Sequence, residues 1–375
     1  MSAASTTPSG KLDRNAPALA LSGGGFRATL FHCGALLRLN ELGYLTKLSR
    51  ISSVSGGSIA SGMLATAWPR LVSKDGVFTN LDVAVLEPLR AFCRRSIDTV
   101  SVGWGSILPG KSIGDVLADS YEDLFHGAKL QDLPEAPQFV FNATNLQTGR
   151  LVRMQRDRLA EYTIGIIPNP DIRVAVAVAS SSAFPPILSP VEIEVDSRNW
   201  QKRDGAIHFG DPNYDRKLAL TDGGVYDNLG LETVDDFDPL IVSDAGAPFS
   251  TEETVDALWP KQAVRALDIA TDQARSLRKR LLFSQAQAAG RKVAFAGIDV
   301  DFTQYPATQK LSILPSKIDR LAHMRTRLNP FNDDEQGHLI NWGWLAMDAA
   351  MRSYLSPSAL PPEFFPIANC DLSKP

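Results

Sequence analysis

Two strand-turn-helix units in immediate succession constrain this chain more than any other feature. Pro17-Ala18-Leu19-Ala20-Leu21 reads as a short buried strand running into Ser22-Gly23-Gly24-Gly25. Residues 26–42 then read as a helix, with Leu30, Cys33, Leu36 and Leu37 at helical spacing. Gly43 suits the left-handed position that commonly closes a helix. The short apolar stretch 48–52 leads at once into Ser53-Val54-Ser55-Gly56-Gly57 and a second helix beginning at Ser58. Successive βα units imply a parallel sheet covered by helices, an α/β fold, with both turns opening on one sheet edge.

Further strands are expected at 138–144, 173–179, 191–195 and 218–221, the last delivering Asp222-Gly223-Gly224. Another, 239–243, ends at Asp244. The remainder reads as a basic helix at 264–287, a strand at 292–300 and a long helix at 339–354. Between 77 and 133 the pattern is mostly helical, interrupted by a glycine-rich apolar stretch containing Trp104. That stretch, 99–112, is either a mobile lid or an ordinary connection between helices. No internal repeat or linker divides the chain. Residues 1–16, rich in Ser, Thr and Pro, read as a flexible segment, and 17–375 as a single domain.

Composition excludes several function classes. A net charge of −4 without a long basic run gives no footprint for a nucleic-acid duplex. No stretch has the length and apolarity of a signal peptide core or a membrane span, so a soluble protein is expected. Cys33, Cys93 and Cys370 are odd in number and lack metal-ligand spacing, which favours a reducing compartment and makes the cytoplasm the expected location.

Acyl transfer needs a nucleophile, a base, and donors aimed at the oxygen that becomes negative. Ser55, at the apex of a strand-turn-helix, has the geometry of a nucleophile elbow. Gly23, Gly24 and Gly25 can direct several amides to one point, with the Gly56 amide as a further donor, and would form an oxyanion hole. A tight strand-helix connection explains the same glycines without chemistry. Asp222, at a strand end before Gly223 and Gly224, is either a turn former or the base for Ser55, with Asp227 and Asp244 as competing carboxylates. None of the five histidines has a carboxylate pattern that marks a triad. His32 falls two turns into its helix, away from the glycines, and reads as structural.

Ser22-Gly23-Gly24-Gly25-Phe26-Arg27, Ser53-Val54-Ser55-Gly56-Gly57 and Asp222-Gly223-Gly224, in that order, resemble the three blocks of the patatin-like phospholipases. The stretch from Gly23 to Ala28 is also similar to the group IV cytosolic phospholipases. Asn142-Ala143-Thr144-Asn145, Thr148-Gly149-Arg150 and Ala179-Ser180-Ser181-Ser182-Ala183-Phe184-Pro185-Pro186 resemble further family segments. The resemblance implies a three-layer α/β/α sandwich around a largely parallel sheet, a Ser55-Asp222 dyad, an oxyanion loop at Gly23 to Gly25, and hydrolysis of lipid acyl esters without a metal or cofactor. Arg27 would stabilise that loop or bind anionic head groups, unless it is a helix-surface cation, and Asn228 would brace the turn after Asp222. One departure stands out: the family elbow usually opens with Gly, and this chain has Ser53.

The implied substrate is a phospholipid or other acyl ester at a membrane surface, which makes a peripheral membrane location the companion of the cytoplasmic one. Residues 275–283, basic with apolar neighbours, either lie on an anionic surface or form an amphipathic helix docked on the core. Two rival functions remain. Gly105 to Ser112 fits the phosphate-loop pattern G-x-x-x-x-G-K-S, with 240–244 as a partner strand. Against that NTPase, Pro109 removes an amide from the cradle, and the segment before Gly105 is a poor strand. The other rival is a non-catalytic lipid- or ligand-binding module of the same fold. A small-molecule activator and the oligomeric state are left open.

Overall fold

The computed structural model describes residues 12–97 and 113–374. In chain order the strands are β1 (Ala18–Leu21), β2 (Arg50–Ser53), β3 (Ser73–Lys74), β4 (Val77–Phe78), β5 (Gln138–Asn145), β6 (Arg150–Gln155), β7 (Arg158–Glu161), β8 (Gly165–Pro168), β9 (Val191–Glu194), β10 (Lys217–Asp222), β11 (Leu240–Asp244) and β12 (Val293–Gly297). The helices are α1 (Gly25–Glu41), α2 (Gly56–Ala67), α3 (Glu87–Cys93), α4 (Ile113–Phe125), α5 (Val174–Ser182), α6 (Pro212–Asp215), α7 (Gly224–Asp227), α8 (Trp259–Ala289), α9 (Pro315–Ala322) and α10 (Asp333–Tyr354). The candidate lid 99–112 and the phosphate-loop match Gly105 to Ser112 lie outside the described residues. No helix of the described chain is long and apolar enough to cross a membrane.

Among the described residues, ten strands form the main sheet. β12, β11, β1, β2 and β5 run parallel in that spatial order, the expected α/β centre. An antiparallel extension, β6, β7 and β8, continues from β5, and β10 and β9 join on the other side of β5's C-terminal half. The alternation of β1 explains the layering. Leu19 and Leu21 enter the larger apolar cluster with residues of α1, α2 and α10, whereas Ala18 and Ala20 face a second cluster with Phe295 and with Leu282 of α8. Helices therefore cover both faces of the sheet in three layers.

One expected strand is a helix. Residues 173–179 alternate Val with Ala, a period-two pattern, yet Val174–Ser182 is α5. This helix packs against α4, α2, β5 and β10 and is buried nearly all round, so no polar face remains to mark a helical period. Its small Ala and Ser residues permit that close packing. β6 and β7 escape the sequence pattern because Arg153, Arg158 and Glu161 interrupt their apolar alternation, and β8, four residues ending in Pro168, is too short to show one. At the amino end, Leu12 packs on the second cluster and the Arg14 carbonyl accepts from the Asp238 amide, so residues of the expected flexible segment are docked.

Candidate active site

Two opposed strand ends meet at Asn142. β2 pairs parallel with the first half of β5 and stops at Ser53, opposite Phe141. β10 arrives from the other direction, antiparallel to the second half of β5, and stops at Asp222, opposite Ala143. Asp222 closes β10 and the turn after β2 carries Ser55, so the register of a single strand sets the spacing between these two residues. Asn142, in the gap between them, donates to Ser52 Oγ and to the Ser53 carbonyl, each at 2.9 Å.

The end of α5 ties the two halves together. The Ser181 carbonyl accepts from the Ser55 amide at 3.1 Å and from the Gly223 amide at 3.2 Å, and the Ala183 carbonyl accepts from the Asp222 amide at 3.0 Å. Ser181 Oγ also accepts from the Ser55 amide at 3.0 Å and donates to the Asn142 carbonyl at 2.7 Å. Ser181 carries the geometry of the site, although as a sequence it stood out only within the 179–186 resemblance.

Ser55 occupies φ 53°, ψ −122°, a conformation that costs an L-residue strain energy and presents the side chain above the turn. It is the residue preceding α2, with Gly56 as the first helical position. The Ser55 hydroxyl lies beside the Asp222 carboxylate and favours its charged form. Ser55 is 7 % and Asp222 3 % exposed. Burial raises the Asp222 pKa from 3.8 to about 6, against the opposing pull of the Gly224 amide and the Ser55 hydroxyl. The Gly224 amide donates to Asp222 Oδ1 at 2.7 Å and fixes the carboxylate's rotation.

The competing carboxylates are committed elsewhere. Asp244 forms a buried ion pair with Arg275 at 2.7 Å, and Asp227 accepts from the Leu229 and Glu232 amides. His32 is fully buried, with Nδ1 at 2.8 Å from Ser243 Oγ and Nε2 at 2.9 Å from the Ser22 carbonyl, and burial lowers its pKa to about 4. It is therefore neutral and braces the strand end beneath the glycine run, nearer to that run than its helical position suggested. Among the described residues, no hydrogen bond of Ser55 or Asp222 goes to a histidine.

Beside Ser55, the N-termini of α1 and α2 converge. A Cβ on Gly56 would lie 2.0 Å from the Gly25 carbonyl, so this approach requires glycine. Gly25 has φ +57° and lies under the Thr326 carbonyl, 1.6 Å from where its own Cβ would stand. Gly25 and Gly56 each open a helix, where amides have no intrahelical acceptor, and Gly24 caps α1. Gly23 departs from the expected donor set: its amide donates to the Asn228 carbonyl at 3.0 Å. The Asn228 side chain fills the space beside Gly23 and Gly224, so this residue links the glycine run to the Asp222 turn.

Arg27 is neither a surface cation nor placed to meet a head group. It is fully buried and donates to the Ala322 and Met324 carbonyls at 2.6 and 2.9 Å and to the Ala245 carbonyl at 2.7 Å. Burial, with Arg275 nearby, lowers its pKa to about 10. It locks the loops after α9 and β11 against the start of α1. Ser53, where the family elbow usually has Gly, is accommodated by hydrogen bonding: its hydroxyl donates to the Val140 carbonyl at 3.2 Å and accepts from Ser58 Oγ at 3.0 Å.

Asp334, His338 and Cys370 bring three potential metal-ligand atoms within 4.8 Å of one another at the start of α10. Both ring nitrogens of His338 are already engaged, Nδ1 by the Asp334 carbonyl at 2.8 Å and Nε2 by Lys317 Nζ at 3.2 Å. A cavity of about 440 Å³ opens between α2, α3 and α4, lined by Met63, Phe92 and Leu124, and Ser55 is not part of its wall.

A family model described as patatin-like phospholipase matches residues 19–235. Among solved structures, human GIVD cytosolic phospholipase A2 aligns with a TM-score of 0.51 at 12% identity, over 91% of this chain and 61% of that one. The same enzyme in complex with methyl gamma-linolenyl fluorophosphonate and terbium chloride gives 0.49 at 14% identity, over 90% and 58%. VipD from Legionella pneumophila gives 0.39 at 14% identity, over 93% and 70%. No curated protein sequence matches. The likeness to the human enzyme at 0.51 supports the fold alone, and this chain spans less than two thirds of that protein.

Proposed function

The chain belongs to the patatin-like phospholipase family, and from that premise we propose that it is a serine lipid acyl hydrolase of phospholipase A or lysophospholipase type, with Ser55 as nucleophile and Asp222 as its base. Asp222 accepts the Ser55 proton as the hydroxyl oxygen attacks the acyl carbonyl. The Gly24, Gly25 and Gly56 amides, at the positive ends of α1 and α2, stabilise the negative charge that develops on the carbonyl oxygen. Asp222 returns the proton to the departing alkoxide, and a water then enters by the same route and releases the fatty acid. One carboxyl serves as base and then as acid in each half-reaction. A pKa of about 6 suits both roles near neutral pH.

The observation that carries this reading is the placing of a serine held at φ 53° beside a buried carboxyl at the junction of two opposed strand ends. Arg27, Gly223 and Asn228 position the two turns, and the Gly224 amide orients the Asp222 carboxylate directly. The free, buried Cys33, Cys93 and Cys370 suit a reducing compartment, and we place the protein in the cytoplasm. Hydrolysis of p-nitrophenyl acyl esters tests the proposal. Ser55→Ala and Asp222→Asn should each lower the rate by about a thousandfold or more with the fold intact. A Ser55→Ala protein that turns over at the native rate refutes it. Mass spectrometry of phospholipid products, wild type against Ser55→Ala, then assigns the acyl position.

A further inference from the structure

α8 turns its charges inward and its apolar side chains outward. Trp259, Ala263, Ala266, Ala270, Leu277 and Leu281 fall on one stripe of the helix, and all six are exposed. On the opposite side Arg265 lies over the Phe249 ring at 4.3 Å, Arg275 pairs with Asp244 at 2.7 Å, and Lys279 lies over the Phe295 ring at 4.5 Å. Arg278, between these faces, pairs with Glu232 at 3.0 Å. Most cations of the basic segment at 275–283 are thereby committed to protein partners rather than offered to an anionic surface.

The helix also outruns the sheet. Arg275 meets Asp244, the last residue of β11, at the C-terminal edge where β1 and β2 deliver the glycine run and Ser55. From Trp259 to Ala274 the helix rises about 24 Å at 1.5 Å per residue, beyond that edge and on the side of the dyad. The buried residues of the 31-residue helix, Arg275, Leu282 and Ala286, all lie below this overhang. The overhang is held by the segment that precedes it: Arg265 donates to the Ser250 carbonyl at 2.7 Å and Gln262 to the Asp256 carbonyl at 3.1 Å. Its tip exposes Val255 (63 %), Leu258 (60 %) and Trp259 (79 %).

Charge selects the occupant. Around the tip and overhang Glu252, Glu253, Asp256, Asp268 and Asp272 outnumber Lys261 and Arg265, which repels an anionic surface and leaves apolar insertion as the attraction. An exposed indole beside leucine suits the boundary between lipid head groups and acyl chains. We infer that the overhang of α8 is a landing arm that inserts Leu258 and Trp259 into an electrically neutral phospholipid bilayer and turns the Ser55 edge of the sheet toward it. The inference rests on the acyl-hydrolase reading, whose substrate sits in such a bilayer.

The test uses the full chain, wild type and the double variant Leu258→Gln, Trp259→Gln, with vesicles of phosphatidylcholine alone or mixed with phosphatidylserine. Wild type should cosediment with phosphatidylcholine vesicles, with no gain from phosphatidylserine and little loss in high salt. The double variant should partition at least about tenfold more weakly, while hydrolysing soluble p-nitrophenyl acetate at the wild-type rate. Undiminished vesicle binding by the variant overturns the inference, as does salt-sensitive binding that needs phosphatidylserine. A wild-type dimer that the substitutions convert to monomer by sedimentation velocity overturns it too, making the face a contact between copies. A wild type inert toward the soluble ester counts against the acyl-hydrolase reading instead, and vesicle partitioning still judges the arm.

Discussion

Replacing Asp222 with Asn should abolish turnover and stabilise the fold at the same time. Burial raises the Asp222 pKa from its ordinary 3.8 to about 6, so the folded protein holds a proton there that the unfolded chain releases. Stability is highest below pH 3.8, declines as pH rises from 3.8 to about 6, and is level above that. At 1.36 kcal/mol per pKa unit the penalty for the buried carboxylate is about 2 kcal/mol at pH 5 and about 3 kcal/mol at pH 8. Asparagine avoids the penalty and keeps an oxygen for the Gly224 amide, which reaches Asp222 Oδ1 at 2.7 Å. With an unfolding entropy of about 0.8 kcal/mol/K for a chain of this length, the gain at pH 8 is about 4 °C in Tm, and smaller at pH 5. Differential scanning calorimetry at the two pH values measures it. The wild-type kcat/KM on a soluble ester should rise with pH through about 6 as the carboxyl ionises. A variant destabilised at both pH values, or stabilised equally at both, would refute the claim that Asp222 is a desolvated carboxyl held for base catalysis.

Ser55→Gly should be as inactive as Ser55→Ala but more stable than it by about 1 kcal/mol, because glycine adopts φ 53°, ψ −122° without strain; equal urea midpoints would contradict this. Arg27→Met should cost about 3 kcal/mol in urea unfolding, since the carbonyls of Ala245, Ala322 and Met324 lose a buried donor, and an unchanged midpoint would show that these bonds do not hold the loops. Gly25→Ala should lower ester turnover about a hundredfold, because its Cβ would meet the Thr326 carbonyl and displace the amide from the oxyanion position; native kcat would remove Gly25 from the donor set.

The parallel centre of the fold was legible because β1 and β11 are short apolar runs and β1, β2 and β11 each end in a marked turn. The same logic failed at α5, where burial on every side erased the helical period and alternating valines suggested a strand. For the site, residue types and order picked out Ser55 and Asp222, yet nothing local brings them together. Their meeting depends on β5 pairing with β2 along one half and β10 along the other, a non-local register that no single segment encodes. The commitment of the Gly23 amide to Asn228 and the inward turn of Arg27 are likewise tertiary facts. The amphipathic reading of 275–283 recognised a helix, but the side on which its charges would lie depended on Asp244 and Glu232, far away in sequence.

The most direct measurement is covalent labelling with a fluorophosphonate, followed by peptide mass spectrometry to locate the adduct. A single adduct on the Ser55 Oγ is expected, absent from Ser55→Ala and slowed at least about a hundredfold in Asp222→Asn. An adduct on another residue, or labelling of Ser55 at an undiminished rate without the Asp222 carboxylate, would contradict the dyad.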